Sequence, residues 1–327
     1  MKKKIAITMG EPGGIGPEVI AKALAHKTVK RSCIPVVIGD SGILRDAVRR
    51  SSLKLHVKTV QGIDESISDV NVINVLEIKS PFQFKMNSLS KGAGRAVVRY
   101  IKKAVELALN RDVEGIVTAP ISKKSLSMAG FLWPGHTELL ADLTGIKEFS
   151  MMFVSRKLMI ILCTIHIPLK DVPKKITKAG VVKTIRLAVK GAELLGIQNP
   201  GIAVAGLNPH AGESGVMGRE EGRSIVPAVD ACKKTGIRVS GPYPPDVVFH
   251  KAYKGEFDIV VCMYHDQGMI PFKMLAFDSG VNMTVGLPFI RTSPDHGTAF
   301  DIAWQNRADP TSMIEAIKLA AKISHRK

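Results

Sequence analysis

Short apolar runs of strand length alternate along this chain with longer segments in which apolar residues recur at helical spacing. The runs KKIAIT and PVVIGD are followed by the helical segments PEVIAKALA and SGILRDAVRR, and a longer helical segment spans 91–110. Runs rich in Val and Ile, bounded by Gly, Pro or Asp, are typical of strands buried on both faces of a parallel sheet. The pattern therefore predicts an α/β fold with a mainly parallel sheet.

The same alternation continues in the second half of the chain. Strands are predicted in SMMFV, LMIILCTI, GIAVAGLN, DIVVCMY and VNMTVGLP, and helices near 176–195, from about Arg219, within GTAFDIAW and from about Pro310. With 327 residues and no low-complexity linker, the chain is long enough for two lobes between which it passes more than once.

Three histidines each follow the end of a strongly apolar run: His166 after LMIILCTI, His210 after GIAVAGLNP and His265 after DIVVCMY. In open α/β sheets, ligands bind beyond the carboxyl ends of the strands. Three imidazoles at one such edge suit a metal site with an open position for substrate. Alternatively, each histidine only caps a strand or bonds a loop carbonyl, but the repetition at three strand ends favours the metal site.

Further polar residues cluster at predicted element ends. His136 and Thr137 begin a helix, where free backbone N–H groups favour an anion, although an ordinary Thr cap with a surface His would look the same. Asp246 follows two prolines, and Lys273 lies shortly after His265. These two residues suit proton relay or anion binding, but each could equally form a surface ion pair.

The segment GLPFIRTSPDHGTAFDIA places many hydrogen-bonding side chains between two apolar stretches. It is predicted to form one polar loop, carrying Arg291 and residues 295–298, before the helix in GTAFDIAW. A connector alone does not need so many polar side chains, so a binding role is expected.

The net charge of +17 raises the question of nucleic-acid binding. The basic residues are scattered, however, and aromatic residues make up only 5% of the chain, with no interleaved pattern for stacking bases. A positive field that attracts a small phosphorylated anion fits as well.

No apolar stretch reaches the ~20 residues that span a bilayer, and the four cysteines lie far apart. We therefore expect a cytoplasmic protein with free thiols and neither membrane nor nucleic-acid partners.

Taken together, the motifs resemble those of the 4-hydroxythreonine-4-phosphate dehydrogenase family of pyridoxal phosphate biosynthesis. The similar stretches run nearly end to end and include MGEPGGIGPE, GHTELLA, TIHIPL, GLNPHAGE, MYHDQG and GVNMTVGLPFIRTSPDHGTAFDIA. The resemblance implies an architecture similar to isopropylmalate and isocitrate dehydrogenases, with two α/β/α lobes and a cleft between them. Residues 1–125 plus 270–327 would form the cofactor-side lobe, and residues 126–269 the metal- and dimer-side lobe.

The resemblance also implies roles for individual residues. The metal ligands would be His166, His210 and His265, and the substrate contacts His136, Thr137, Lys273, Asn282 and Arg291. NAD, or NADP, would be held by Asp295, His296, Gly297 and Thr298, with Lys273 and Asp246 as a proton relay. The ion would be Zn²⁺, Mg²⁺ or Co²⁺, and the active site would be shared across a homodimer.

The implied reaction is the oxidation of 4-phosphooxy-L-threonine by NAD⁺ with loss of CO₂, which yields 3-amino-2-oxopropyl phosphate. A sister group that oxidises 4-phosphorylated threonate or erythronate is similar in the same motifs, so this alternative stays open. Val247 replaces the threonine that usually follows the PPD segment, which removes a hydroxyl near the expected site. A metal-dependent phosphohydrolase is an alternative from another class, disfavoured because no carboxylate-rich two-metal set is visible.

Overall fold

The computed structural model describes residues 2–79 and 85–326. The strands, numbered in chain order, are β1 Lys4–Thr8, β2 Ile34–Gly39, β3 His56–Val60, β4 Val72–Glu77, β5 Gly115–Thr118, β6 Ser150–Val154, β7 Met159–Leu162, β8 Ile202–Ala205, β9 Val239–Tyr243, β10 Ile259–Cys262, β11 Val281–Val285 and β12 Ile290–Pro294.

The helices are α1 Gly16–Ala25, α2 Lys27–Ser32, α3 Ser41–Arg50, α4 Lys91–Leu109, α5 Lys123–Met128, α6 His136–Thr144, α7 Val172–Lys175, α8 Lys178–Leu195, α9 Val226–Lys233, α10 Pro245–Tyr253, α11 His265–Ala276 and α12 Thr311–Ser324. Several begin at side-chain caps: Asp40, Ser90 and Thr177 accept hydrogen bonds from the first backbone N–H groups of α3, α4 and α8. Among the helices that the structure describes, none is both long and apolar enough to cross a lipid bilayer.

The chain divides into two compact units, Met1–Lys147 with Leu287–Lys327 and Glu148–Gly286. These divisions lie about twenty residues later in the chain than the predicted lobe boundaries at 125/126 and 269/270. The first unit includes α6 because this helix packs against α4, and the second includes β11 because it pairs with β6. The assignment of the lobes to cofactor and metal binding stays a prediction.

In the first unit the strand order is β3-β4-β2-β1-β5-β12, and every pair is parallel. Helix α4 packs against β1, β2 and β5, and α5 and α6 pack against α4. Helix α12 packs against β5 and β12, and α1 and α2 pack against α12. The predicted α/β class and parallel sheet are confirmed here.

In the second unit the strand order is β11-β6-β7-β10-β8-β9. The pairs from β7 to β9 are parallel, whereas β6 runs antiparallel to both of its neighbours. The core includes Phe153 and Phe272, whose ring centroids lie 5.7 Å apart, together with the strand residues Ile160 and Val260. Because β7, β10 and β8 are neighbouring parallel strands, their carboxyl ends lie side by side at one edge of the sheet.

Two predictions about local structure were wrong. Arg291 lies inside β12, where it is only 2% exposed, and not in a polar loop. The helix predicted in GTAFDIAW is a series of turns in which Ala299, Trp304 and Asn306 have φ values of 38°, 63° and 60°. The buried Trp304 indole donates a hydrogen bond to the Pro12 carbonyl at 3.1 Å, so packing against the first loop replaces helical hydrogen bonding.

Candidate active site

The three histidines of the predicted metal site follow three neighbouring parallel strands. His166 lies just beyond β7, His265 is the first residue of α11 after β10, and His210 follows β8. The rings of His166 and His265 have centroids 5.7 Å apart and planes inclined by 40°. The prediction that these residues follow strand ends at one sheet edge is thus matched by the strand order.

The carboxylate of Asp266 fixes the ring of His265. Its Oδ1 atom lies 2.7 Å from Nδ1 of His265. A neutral imidazole that donates Nδ1–H to a carboxylate keeps its Nε2 lone pair for a ligand, which is the usual support of a metal-binding histidine. This contact fits a divalent ion at His265.

His210 lies on an exposed turn with unusual backbone geometry. Within the segment Pro209–Gly215, His210, Ala211, Glu213 and Ser214 have φ values between 40° and 55°. Left-handed backbone at consecutive non-glycine residues is unfavourable, and such strain concentrates at functional sites. Within residues 2–79 and 85–326, no three His, Cys, Asp or Glu side chains are placed to hold a metal ion. The three-histidine site therefore stays a prediction.

A second group of predicted site residues is centred on the buried guanidinium of Arg291. Its Nη2 atom donates a hydrogen bond to Thr118 Oγ1 at 2.7 Å, and Thr118 is fully buried at the end of β5. Burial lowers the pKa of Arg291 to about 10, while the nearby Glu138 carboxylate raises it. The guanidinium therefore remains positively charged at neutral pH.

His136, the first residue of α6, shares the environment of Arg291. Burial, and then the charge of Arg291, lower the pKa of His136 well below its usual value of 6.5. The Nε2 atom of His136 is buried and has no hydrogen-bond partner among the described residues. Thr137 beside it is 5% exposed. A buried cation, a neutral imidazole and the N-terminus of a nine-residue helix together suit an anionic group.

The other two predicted substrate contacts, Asn282 and Lys273, belong to the second unit, as does Asp246 of the predicted proton relay, and the three residues lie on different elements. Asn282 is buried in β11, and its Oδ1 atom lacks a hydrogen-bond partner in the part of the chain that the structure describes. Lys273 lies in α11 with its Nζ atom 5.5 Å from the ring centroid of Phe277. Asp246 is exposed in the first turn of α10. These positions do not test the roles predicted for Asn282, Lys273 and Asp246.

The predicted cofactor segment, 295–298, leaves β12 and packs against the glycine-rich first loop. The backbone N–H of Ile15 donates to the Thr298 carbonyl at 3.0 Å. A Cβ atom at Gly14 would lie 2.9 Å from the same carbonyl oxygen, so this approach requires glycine. A Cβ at Gly297 would meet nothing within 4 Å, which leaves backbone accessible for close contact with a ligand.

Glu11, in the first loop, is a buried titratable residue that the sequence did not single out. It is fully buried, and this burial raises its pKa to about 7. Its only sequence signal is a carboxylate within a glycine-rich strand-to-helix turn. Thr118, Gln267 and Glu221 were missed as well, because each forms its hydrogen bonds with residues that are distant in the sequence.

We predict that Glu11→Gln stabilises the protein progressively as pH rises. The folded-state pKa is raised, so the contribution of Glu11 to the free energy of unfolding is fully present below pH 4.5 and is lost as pH rises through about 7. The variant lacks this loss, and its advantage in the free energy of unfolding should grow by about 2 kcal/mol between about pH 5 and about pH 8. Urea denaturation at both values measures this, with the exposed Glu106→Gln as control. A pH-independent difference would contradict the assignment.

Comparison with known proteins decides the family. The model of the family described as pyridoxal phosphate biosynthetic protein PdxA matches residues 31–320. The 4-hydroxythreonine-4-phosphate dehydrogenase of Aquifex aeolicus is 46% identical over 325 residues, which cover 98% of each chain. The chain belongs to the PdxA family.

Solved structures and further relatives of the PdxA family agree with this. The crystal structure of 4-hydroxythreonine-4-phosphate dehydrogenase from Klebsiella pneumoniae superimposes with a TM-score of 0.91 at 42% identity, covering 99% of this chain and 98% of that one. The D-threonate 4-phosphate dehydrogenase of Cupriavidus necator is also 46% identical, over 99% of this chain and 98% of its own. Overall identity therefore does not separate the two substrate classes of the family.

Proposed function

We propose that this protein is a dehydrogenase that oxidises 4-phosphooxy-L-threonine at its C3 hydroxyl and releases CO₂, forming 3-amino-2-oxopropyl phosphate in pyridoxal phosphate biosynthesis. The observation that carries the proposal is the buried, charged Arg291 beside the neutral His136 in a member of the PdxA family. The arrangement suits a small substrate with a phosphate and a carboxylate. The isopropylmalate dehydrogenase-like lobes with a cleft, and the cytoplasmic location, stay predictions.

In the first unit, Arg291, His136 and Thr137 would bind an anionic group of the substrate. Thr118 fixes one edge of the guanidinium, which orients the planar donor fork of Arg291. The neutral His136 ring can donate or accept one hydrogen bond without adding charge. Burial strengthens these contacts because water does not screen them.

In the second unit, His166, His210 and His265 would hold one divalent ion, Zn²⁺, Mg²⁺ or Co²⁺. The fit rests on the two rings 5.7 Å apart and on the Asp266 carboxylate at Nδ1 of His265. A bound ion would supply Lewis acidity, which lowers the pKa of an alcohol and stabilises charge on a ketone oxygen. Asn282, with its unpartnered Oδ1 atom among the described residues, would accept a hydrogen bond from a substrate group, and Lys273 and Asp246 would relay the proton.

NAD or NADP would bind at Asp295, His296, Gly297 and Thr298. The space above Gly297 and the close contact between Gly14 and Thr298 support this placement, since backbone is presented without intervening side chains. The nicotinamide ring supplies the hydride acceptor for the oxidation.

The protein is proposed to act as a homodimer. Ile270 and Met274 on α11 and Phe277, the residue just after its end, recur at helical spacing and are 61%, 82% and 70% exposed. A contiguous apolar stripe at this exposure is typical of an interface, and a two-fold homodimer would bury it against the same stripe. Because α11 also carries His265 and Lys273, dimerisation would enclose the predicted metal site.

We predict that Met274→Asp converts the dimer to a monomer and abolishes turnover. The carboxylate would have to be desolvated within an apolar contact, which is strongly unfavourable. Light scattering after size-exclusion chromatography gives the molar mass. Val70→Asp, at a 45% exposed apolar residue of the first unit, is the control and should leave the mass unchanged. A Met274→Asp protein with the wild-type mass would contradict this interface.

The test of the proposed function compares two substrates. The wild type, supplied with metal and NAD⁺ or NADP⁺, is given 4-phosphooxy-L-threonine and 4-phospho-D-threonate separately, and NADH or NADPH formation is followed by absorbance. We expect a higher kcat/KM for 4-phosphooxy-L-threonine. A higher value for the threonate would assign the protein to the alternative activity, which the Cupriavidus necator relative supports. Phosphate release without cofactor reduction would instead indicate a phosphohydrolase.

A further inference from the structure

Hydrogen bonds join the three histidine-bearing segments of the second unit across their strand ends. Between β7 and β10, the backbone N–H of Cys163 donates to the Cys262 carbonyl at 2.8 Å. The Thr164 hydroxyl then donates to the Met263 carbonyl at 2.7 Å. These bonds continue the sheet pairing beyond the last strand residues, towards His166 on one side and His265 on the other.

Gln267 makes the corresponding connection between β10 and β8. Its Oε1 atom accepts a hydrogen bond from the backbone N–H of Met263 at 2.7 Å, and its Nε2 atom donates to the Gly206 carbonyl at 2.7 Å. Gln267 is 8% exposed and lies two residues after His265, in the first turn of α11. One side chain thus links the segment that carries His265 to the start of the loop that carries His210.

Glu221 secures the same loop from its other side. Its Oε1 atom accepts hydrogen bonds from the backbone N–H groups of Leu207 and Asn208, both at 2.8 Å. Its Oε2 atom accepts one from the Asn208 side-chain amide at 3.0 Å. The base of the loop, residues 206–208, is therefore held by two buried side chains immediately before the left-handed turn at His210.

We propose that Gln267 is a positioning residue that sets the spacing between the segments of His210 and His265 and thereby the affinity for the divalent ion. The inference rests on the proposed function, because it assumes that the three histidines bind that ion. A ligand on an exposed, left-handed turn depends on its loop base for its position. Groups that hold metal ligands in place typically contribute about 10- to 100-fold to metal affinity.

Two variants remove the connection in different ways. Gln267→Met keeps a similar length and volume but removes both hydrogen bonds, and Gln267→Asn keeps the amide but is too short to reach both partners. Ser150→Ala is the matched control because it also removes a buried hydrogen bond, from Ser150 Oγ to the Leu162 carbonyl at 2.7 Å. That bond joins β6, which leads to no predicted ligand, to β7.

The measurement is the dissociation constant for Zn²⁺ of the metal-stripped full-length protein, by competition with a chelator, together with the visible spectrum of bound Co²⁺. We expect both Gln267 variants to fold, to bind Zn²⁺ about 10- to 100-fold more weakly and to change the Co²⁺ spectrum. Ser150→Ala should bind Zn²⁺ like the wild type.

The outcomes separate this inference from the proposed function. If wild-type binding requires His265 but both Gln267 variants bind Zn²⁺ with wild-type affinity, the positioning role is wrong and the metal site stands. If the wild type shows no binding that depends on His265, the proposed metal site itself is wrong. Loss of folding in both variants would show that Gln267 supports the whole core, which would also overturn the specific role proposed here.

Discussion

Replacing Arg291 by Met should lower kcat/KM by about 100- to 1,000-fold, mainly through a higher KM. The guanidinium is 2% exposed, is held by Thr118 and remains charged at neutral pH. Removing one partner of a desolvated, hydrogen-bonded charge pair costs about 3–4 kcal/mol of binding free energy, which corresponds to that loss. Arg291→Lys should recover only part of it, because an ammonium lacks the planar donor fork.

The same substitution separates binding from stability. A buried charge is expensive to desolvate, so an apolar side chain of similar length should leave the protein folded, with equal or higher stability. Thr292→Val is the neighbouring control: its hydroxyl donates to the Ala316 carbonyl at 2.8 Å and has no assigned role in binding. Steady-state kinetics with varied substrate measure the effect. An Arg291→Met enzyme with unchanged KM and kcat would remove Arg291 from the anion site.

Replacing His265 by Ala should abolish both bound zinc and turnover. The substitution removes one of three protein ligands and also the contact between Asp266 and the His265 ring. The two ligands that remain should retain little affinity for the ion. Without the Lewis acid, neither the alcohol nor the ketone oxygen would be activated. We expect turnover to fall by more than about 1,000-fold, in line with the several kcal/mol that a catalytic ion supplies.

Elemental analysis of the purified protein measures this directly. His250→Ala is the matched control, because His250 is an exposed histidine of the same unit on α10. This control should retain wild-type zinc content and activity. A His265→Ala protein that keeps its zinc and its turnover would exclude His265 as a ligand.

The sequence predicted the elements whose pattern is local. β1, β2, β5, β7, β8 and β10 are uniform apolar runs, and α4 and α8 have caps and helical spacing. The edge strand β3, His56–Val60, was missed because only one of its five residues, Val60, is buried and it lacks an apolar run. Edge strands bury one side at most, so their sequences do not show the pattern of a central strand.

Helix α11 was missed for a different reason. It contains Gly268 and Pro271, both unfavourable within helices. The structure explains Gly268 by packing, since a Cβ atom there would lie 2.9 Å from the Cys262 sulfur and 2.8 Å from Ile160. Tertiary contact with β7 and β10 thus overrides local propensity, and no local pattern could have revealed it.

The site was predictable only in part. The three histidines could be recognised because each follows an apolar run in the sequence. The structure places the corresponding strands, β7, β10 and β8, side by side. Arg291 was predicted in a loop because its charge interrupts an apolar run. Its hydrogen-bond partner, Thr118, lies 173 positions away in the sequence, so the local sequence could not show that the charge is accommodated inside a strand. Gln267 and Glu221 act through hydrogen bonds to backbone atoms of distant segments, which leave no mark on residue spacing.

We propose that His166, His210 and His265 hold one divalent ion, and anomalous diffraction at the zinc absorption edge from wild-type crystals grown with Zn²⁺ can show that ion. We expect one strong anomalous peak per chain, about 2.0–2.1 Å from a ring nitrogen of each of the three histidines. A zinc peak bound by other side chains, with these three rings turned away from it, would exclude the three-histidine site.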